Sequence, residues 1–173
     1  SESIFAALNS TADITSPLFL AMDAATEVAS SGTSIALKFN ENIGTIPNSG
    51  SEAVRNQFAV RVNGVLKSVS SISKSNDVIT LGLDVSNKIE SSDIVTVQYT
   101  IDGSNAIVDT DANANTLSSF APTSITNSSN QDLTAPTFDA SNSVTQVLAA
   151  GTTIELKFSE ALTALTSTAK SQF

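Results

Sequence analysis

"GTSIALKFNE" at residues 32–41 returns as "GTTIELKFSE" at residues 151–160, with seven of ten positions identical. Each copy alternates apolar and polar side chains. In the first, Ile35, Leu37 and Phe39 fall on one face and Ser34, Ala36 and Lys38 on the other, the period of a half-buried β-strand. A strand pattern met twice makes internal repetition the first question, because a missed repeat misassigns the whole fold.

Offsetting the chain by 119 residues aligns 14–43 with 133–162 without a gap, and 13 of the 30 positions are identical. The identities are Thr15, Pro17, Phe19, Ala21, Thr26, Val28, Gly32, Thr33, Ile35, Leu37, Lys38, Phe39 and Glu41. After a four-residue shortening, Gln57-Phe58 meets Gln172-Phe173. The opening "IFAALNSTADITSP" echoes "SFAPTSITNSSNQDLTAP", with Phe5 answering Phe120 and Asp13 answering Asp132. The expected organisation is therefore residues 1–13 as the tail of a preceding repeat or a linker, 14–132 as a complete repeat, and 133–173 as the first strands of the next.

Composition narrows the class. Eight Lys and Arg stand against 17 Asp and Glu, a formal charge of −9. Such a surface repels nucleic-acid phosphates and anionic lipid and suits divalent cations. There is no Cys, so disulfides and thiolate metal sites are excluded. Ser and Thr supply 48 of the 173 residues, a mixture that favours strands and polar turns. Residues 1–20 have no basic start or long apolar core, so no signal peptide is expected there, and no run reaches the ~20 apolar residues of a membrane helix.

Further strands follow by the same alternation. "SPLFLAM" reads as a first strand. "FAVRVNGVLKSV" places Phe58, Val60 and Val62 on one face, with Asn63-Gly64 as the positive-φ pair of a tight hairpin. "DVITLGLD" offers Ile79, Leu81 and Leu83. "DIVTVQYTI" offers Val95, Val97, Tyr99 and Ile101, and "SSFAPTSIT" a last strand. The one helical signal is "SEAVRNQ", with Ser51 capping a single turn inside the long 41–57 loop. Some seven short strands in one repeat point to an all-β fold, an Ig-like Greek-key β-sandwich in tandem copies. A small barrel is the alternative.

The succession "TAPTF", "GTTIELKFSE", "FAVRVNGV", "SSDIVTVQYT", "NAIVDTDANAN" and "SSF" resembles the flagellar-system-associated (swimming-motility) repeat of giant cyanobacterial cell-surface proteins, and more widely the bacterial Ig-like adhesin repeats. The turn departs from the family pattern, with Ala112 where Gly is common. The resemblance implies an extracellular array acting as stalk, fibre or adhesive surface.

The chemistry-bearing stretch is Asp109-Thr110-Asp111-Ala112-Asn113-Ala114-Asn115. Alternating oxygen side chains are what Ca²⁺ accepts, although Ala114 and Phe120 rule out an EF-hand. In a seven-stranded sandwich the loop after the second strand, the loop before the last strand and the entry segment share one pole. Glu41, Asp109, Asp111 and Asp13 would converge there, with Asn113 beside them. Asp132 and Glu160 would be their counterparts for the next repeat. A Ca²⁺ at this pole would stiffen the joint between repeats; the other reading is that these acids solvate polar loops. At the opposite pole Asp84, Glu90 and Asp93 offer a junction site, or Asp93 simply caps a turn.

Catalysis is not expected. Without His or Cys the usual nucleophile–base pairs are unavailable, and one Tyr with no Trp leaves little to stack on sugar. The expected role is a non-catalytic module of a secreted surface protein, its partners being neighbouring repeats or subunits of the same protein. The competing role is a glycan- or cell-binding module using the 41–57 loop. Asn9 and Asn127 head glycosylation-acceptor patterns. Residues 133–173 supply about two strands, so Ile154, Leu156 and Phe158 are expected to lack a facing sheet.

Overall fold

The computed structural model describes residues 13–48, 51–142 and 144–162. The readings placed on residues 1–12, including Phe5 and Asn9, and on Gln172-Phe173 lie outside them. The chain divides into two compact units, one ending at Asp132 and one beginning at Leu133. Both are built of β-strands. No described helix is long and apolar enough to cross a membrane.

Among the described residues the first unit holds nine strands in two sheets. One sheet has the order β5 (Val69–Ser75), β6 (Val78–Leu83), β2 (Ser34–Lys38), β1 (Glu27–Val28) and β9 (Thr126–Asn127). The other runs β4 (Val65–Lys67), β3 (Phe58–Val62), β7 (Val95–Tyr99) and β8 (Phe120–Ser124). Every pair is antiparallel except β1 with β9. β8 and β9 are one run of chain that leaves one sheet for the other at Ile125, so the closing strand belongs to both layers.

Alternation along each strand explains the layering. β2, β3, β6 and β7 bury every second residue. Ile35, Leu37, Ile79 and Leu81 from one sheet and Val60, Val97 and Tyr99 from the other are wholly buried. Each such aliphatic side chain contributes about 1.5–3 kcal/mol by leaving water. Aromatic rings stitch the layers. Phe19 stacks on Phe120 at 4.4 Å between centroids and meets Phe39 at 5.9 Å, while Tyr99 lies 5.9 Å from Phe120 and 4.9 Å from Phe58.

Local signals shape the connections as the sequence suggests. Asn63 and Gly64 take φ of 50° and 81°, and β3 and β4 pair as a hairpin around them. Ser51 caps α1 (Glu52–Arg55) by accepting from the Val54 amide.

Two expectations are corrected, and one strand is added to those read from the sequence. "SPLFLAM" forms one bridge, Phe19 to Phe39, and regular pairing starts only at Glu27. Residues 21–25 loop out, and the Thr26 hydroxyl bridges the gap by donating to the Leu20 carbonyl and accepting from the Lys38 amide. Ile101 is exposed, because the strand ends at Tyr99 and the Ile101 amide turns to the Ser119 hydroxyl. β5 is absent from the sequence reading: it is polar except for Val69 and Ile72, and its extended form comes from pairing with β6 around a bulge at Ser70.

The second unit holds β10 (Gln146–Val147) paired antiparallel with β11 (Ile154–Glu155), and a Phe138–Phe158 bridge. Its local geometry copies residues 19–39. Thr145 donates to the Asp139 carbonyl and accepts from the Lys157 amide, as Thr26 does with Leu20 and Lys38. Gly32 and Gly151 adopt φ of 67° and 69°. Phe138 and Phe158 sit 5.9 Å apart, as Phe19 and Phe39 do.

Candidate metal centre

β2 carries the chain to Glu41, and a loop bridged at both ends holds Asp109 to Asn115. Ile43 pairs with Asp109, and Val108 pairs with Thr116. The Gly44 amide donates to the Val108 carbonyl at 2.7 Å. A side chain could not stand at Gly44, since a β-carbon there would lie 1.8 Å from the Asp109 carbonyl oxygen. The loop after β2 and the loop before β8 are thus held in contact.

Asp109 organises its own loop. Its Oδ1 accepts from the Asp111 amide at 3.0 Å and the Asn115 amide at 3.2 Å, and its Oδ2 from Asn115 Nδ2 at 2.8 Å. The side chain is buried and faces inward. That leaves Asp111 projecting from the loop tip. The entry segment is then tied on. The Asp13 carbonyl accepts from Asn113 Nδ2 at 2.8 Å and Asn115 Nδ2 at 3.2 Å. The Asp13 carboxylate accepts from the Thr15 amide and hydroxyl.

Carboxylate oxygens of Asp13, Glu41 and Asp111 consequently lie within 4.8 Å of one another. Their electrostatics are strained. Burial, then the charges of Asp13, Asp109 and Asp111, push the Glu41 carboxyl above its ordinary range. Sharing a hydrogen bond with Asp13 pushes Asp111 up, while the Thr15 hydrogen bonds hold Asp13 down. Glu41 Oε1 is buried and takes no hydrogen bond among the described residues. A buried carboxylate oxygen without a donor is costly, and a cation is one remedy.

The donor set fits a hard cation. All three donors are carboxylates, and no His or Cys exists in the chain to serve a softer metal. Calcium holds oxygens at about 2.4 Å, so any two of its ligands stand no more than about 4.8 Å apart, a limit the three carboxylates meet. A chain offering three carboxylates would leave water to complete the six to eight ligands calcium takes.

Of the seven residues singled out in the sequence, Asp13, Glu41 and Asp111 meet. Asp109 and Asn113 position them. Asp132 is exposed at the end of the first unit, and Glu160 belongs to the second. The opposite pole is occupied by capping. Asp84 accepts from the Ser86 amide and hydroxyl, and Asp93 accepts from the Glu90 amide and from Asn63 Nδ2. Sequence reasoning missed the placement of Asn115, whose side chain joins Asp109 to Asp13.

Comparison with family models, with characterised proteins and with solved structures finds no match to this chain.

Proposed function

We propose that the chain is a non-catalytic structural repeat module of a large secreted bacterial cell-surface protein or filament, of the motility or adhesion-stalk kind, stiffened by calcium where the chain enters a repeat. The observation that carries this reading is the recurrence, 119 residues on, of the same hairpin with the same Thr-mediated bridge and the same positive-φ glycine. The strand order supports an Ig-like Greek key, with β5, β6, β2 and β1 facing β4, β3, β7 and β8.

The chain enters and leaves the first unit at opposite poles of the sandwich. Asp13 lies beyond the C-terminal end of β2, beside Glu41. Gln131 lies at the opposite end, where its side chain and the Asn130 amide donate to the Ser30 carbonyl just before β2. Neighbouring repeats or subunits of the same protein are the partners this reading requires. A cation shared by the entry residue Asp13 and the loop residues Glu41 and Asp111 would lock the incoming chain to the sandwich.

Thermal unfolding followed by tyrosine fluorescence tests this, because Tyr99 is the single Tyr and sits in the core of the first unit. Calcium at a hundredfold excess over Kd adds about 2.7 kcal/mol, or about 10 °C for a unit of this size. The shift is expected to vanish in chelator and in Glu41→Gln and Asp111→Asn. Equal midpoints with calcium and with chelator would refute the calcium joint.

A second reading, a glycan- or cell-binding adhesin module using the 41–57 loop, has one observation in its favour. That loop and β5 enclose an open groove of about 570 Å³.

A further inference from the structure

The groove is lined by Thr45 and Ile46 from the loop, Arg55 from α1, and Ser71, Ser73 and Lys74 from β5. Its charge is opposite to that of the molecule. In a chain of net charge −9, two of the eight basic residues line one opening. Neither is neutralised by an acid: the one salt bridge among the described residues is Lys38 with Asp77. Each is instead anchored by a backbone carbonyl. Arg55 Nε donates to the Val69 carbonyl at 3.1 Å, and Lys74 Nζ donates to the Ile43 carbonyl at 2.8 Å. The anchors fix where the cations stand without cancelling their charge. The Arg55 terminal nitrogens keep the forked geometry that pairs with a carboxylate or sulfate.

We propose that this groove binds an acidic polysaccharide, with Arg55 and Lys74 gripping its carboxylate or sulfate groups and the Thr45, Ser71 and Ser73 hydroxyls meeting the sugar. The proposal rests on the second functional reading and is independent of the calcium joint. The volume suits a few sugar units, since ligand sites span about 300–1,000 Å³. An added peptide strand fits less well. β5 is an edge strand, but its ladder is interrupted. The Val69 carbonyl is already taken by Arg55, Ser70 is bulged, and the Lys74 side chain crosses to Ile43.

The test uses the full chain in chelator, so that calcium plays no part. Binding is measured by calorimetry to polygalacturonate, dextran sulfate and neutral dextran. The proposal expects at least one anionic polymer to bind and dextran not to bind, the anionic arm that binds naming carboxylate or sulfate as the group recognised. Lys74→Gln is expected to weaken binding at least fivefold and Arg55→Gln more, while Lys67→Gln on β4 leaves it unchanged. Should Arg55→Gln unfold through loss of its anchor, Ser73→Asp places a repelling charge on an exposed lining position without touching the core, and is expected to abolish binding. No binding to either polyanion, equal binding to dextran, or an equal loss in Lys67→Gln would overturn the proposal. Failure here leaves the calcium shift intact, and failure of the calcium shift leaves this binding intact.

Discussion

Leu37 and Leu156 occupy the same position in two copies of one motif, and replacing each by Ala asks the same question in two environments. Leu37 is wholly buried in β2 between the sheets, whereas Leu156 is 40% exposed. Truncating a packed Leu removes its transfer energy and leaves a cavity, for about 3 kcal/mol. With an unfolding entropy of about 2.1 cal/mol/K per residue, a unit of this size loses about 4 °C per kcal/mol. Leu37→Ala should therefore lower the midpoint by about 12 °C. Leu156→Ala removes a side chain with no facing sheet among the described residues, and surface changes of that kind stay within about 0.5 kcal/mol. Circular dichroism in the β-sheet band reads the strands of both units, so the melting curve of Leu156→Ala should overlay the parent curve. Urea titration gives a second measure, with the midpoint moving and the slope unchanged in Leu37→Ala. A midpoint lowered by less than about 4 °C in Leu37→Ala would mean that the sheets do not pack across this residue. Equal losses in the two variants would mean that the second hairpin is covered as the first one is, and would refute the contrast drawn between them.

Two further outcomes follow from the acidic pole. Glu41 and Asp111 titrate above their ordinary values, so each is a group whose charging opposes folding, and the stability linked to their protonated forms is lost as pH rises. Asp13, Asp77 and Asp102 titrate below the ordinary 3.8, so the stability they contribute is present above that value and lost below it. In chelator the midpoint should rise as the pH falls from 7 toward the ordinary Glu value of 4.5, then fall below 3.8, while calcium should flatten the first limb; a midpoint that only declines from pH 7 would contradict the clustering. Gly44→Ala alters no carboxylate, yet its β-carbon would strike the Asp109 carbonyl. It should cost about 3 kcal/mol and remove the calcium shift, and a parent-like melt with calcium response retained would show that the two loops are not in contact as described.

Much of the fold is legible because its causes are local. Alternation fixes which face of β2, β3, β6 and β7 turns inward, Asn63-Gly64 sets a hairpin through two positive φ angles, and Ser51 starts a helical turn. The acidic pole was half legible. Side-chain type marked Asp13, Glu41 and Asp111 as oxygen donors, but Asp109 turned inward because its carboxylate serves amides of its own loop, a choice that depends on the folded backbone. β5 and the groove beside it were not legible at all. A nearly polar strand becomes a strand only when β6 is there to pair with it, and Arg55 and Lys74 become neighbours only through that pairing.

The repeated segment shows the division most sharply. Phe, Val, Ile, Leu and Phe stand at positions 19, 28, 35, 37 and 39 and again at 138, 147, 154, 156 and 158. Both copies make the same turns and the same Thr bridge, because those contacts lie within 20 residues of chain. Val28, Ile35, Leu37 and Phe39 are wholly buried, whereas Val147, Ile154 and Leu156 are exposed. Local sequence determines which side chains share a face. Burial needs a second sheet to cover that face, and only the tertiary structure supplies one, because hydrophobic free energy is gained where surface leaves water and not where the side chain merely points.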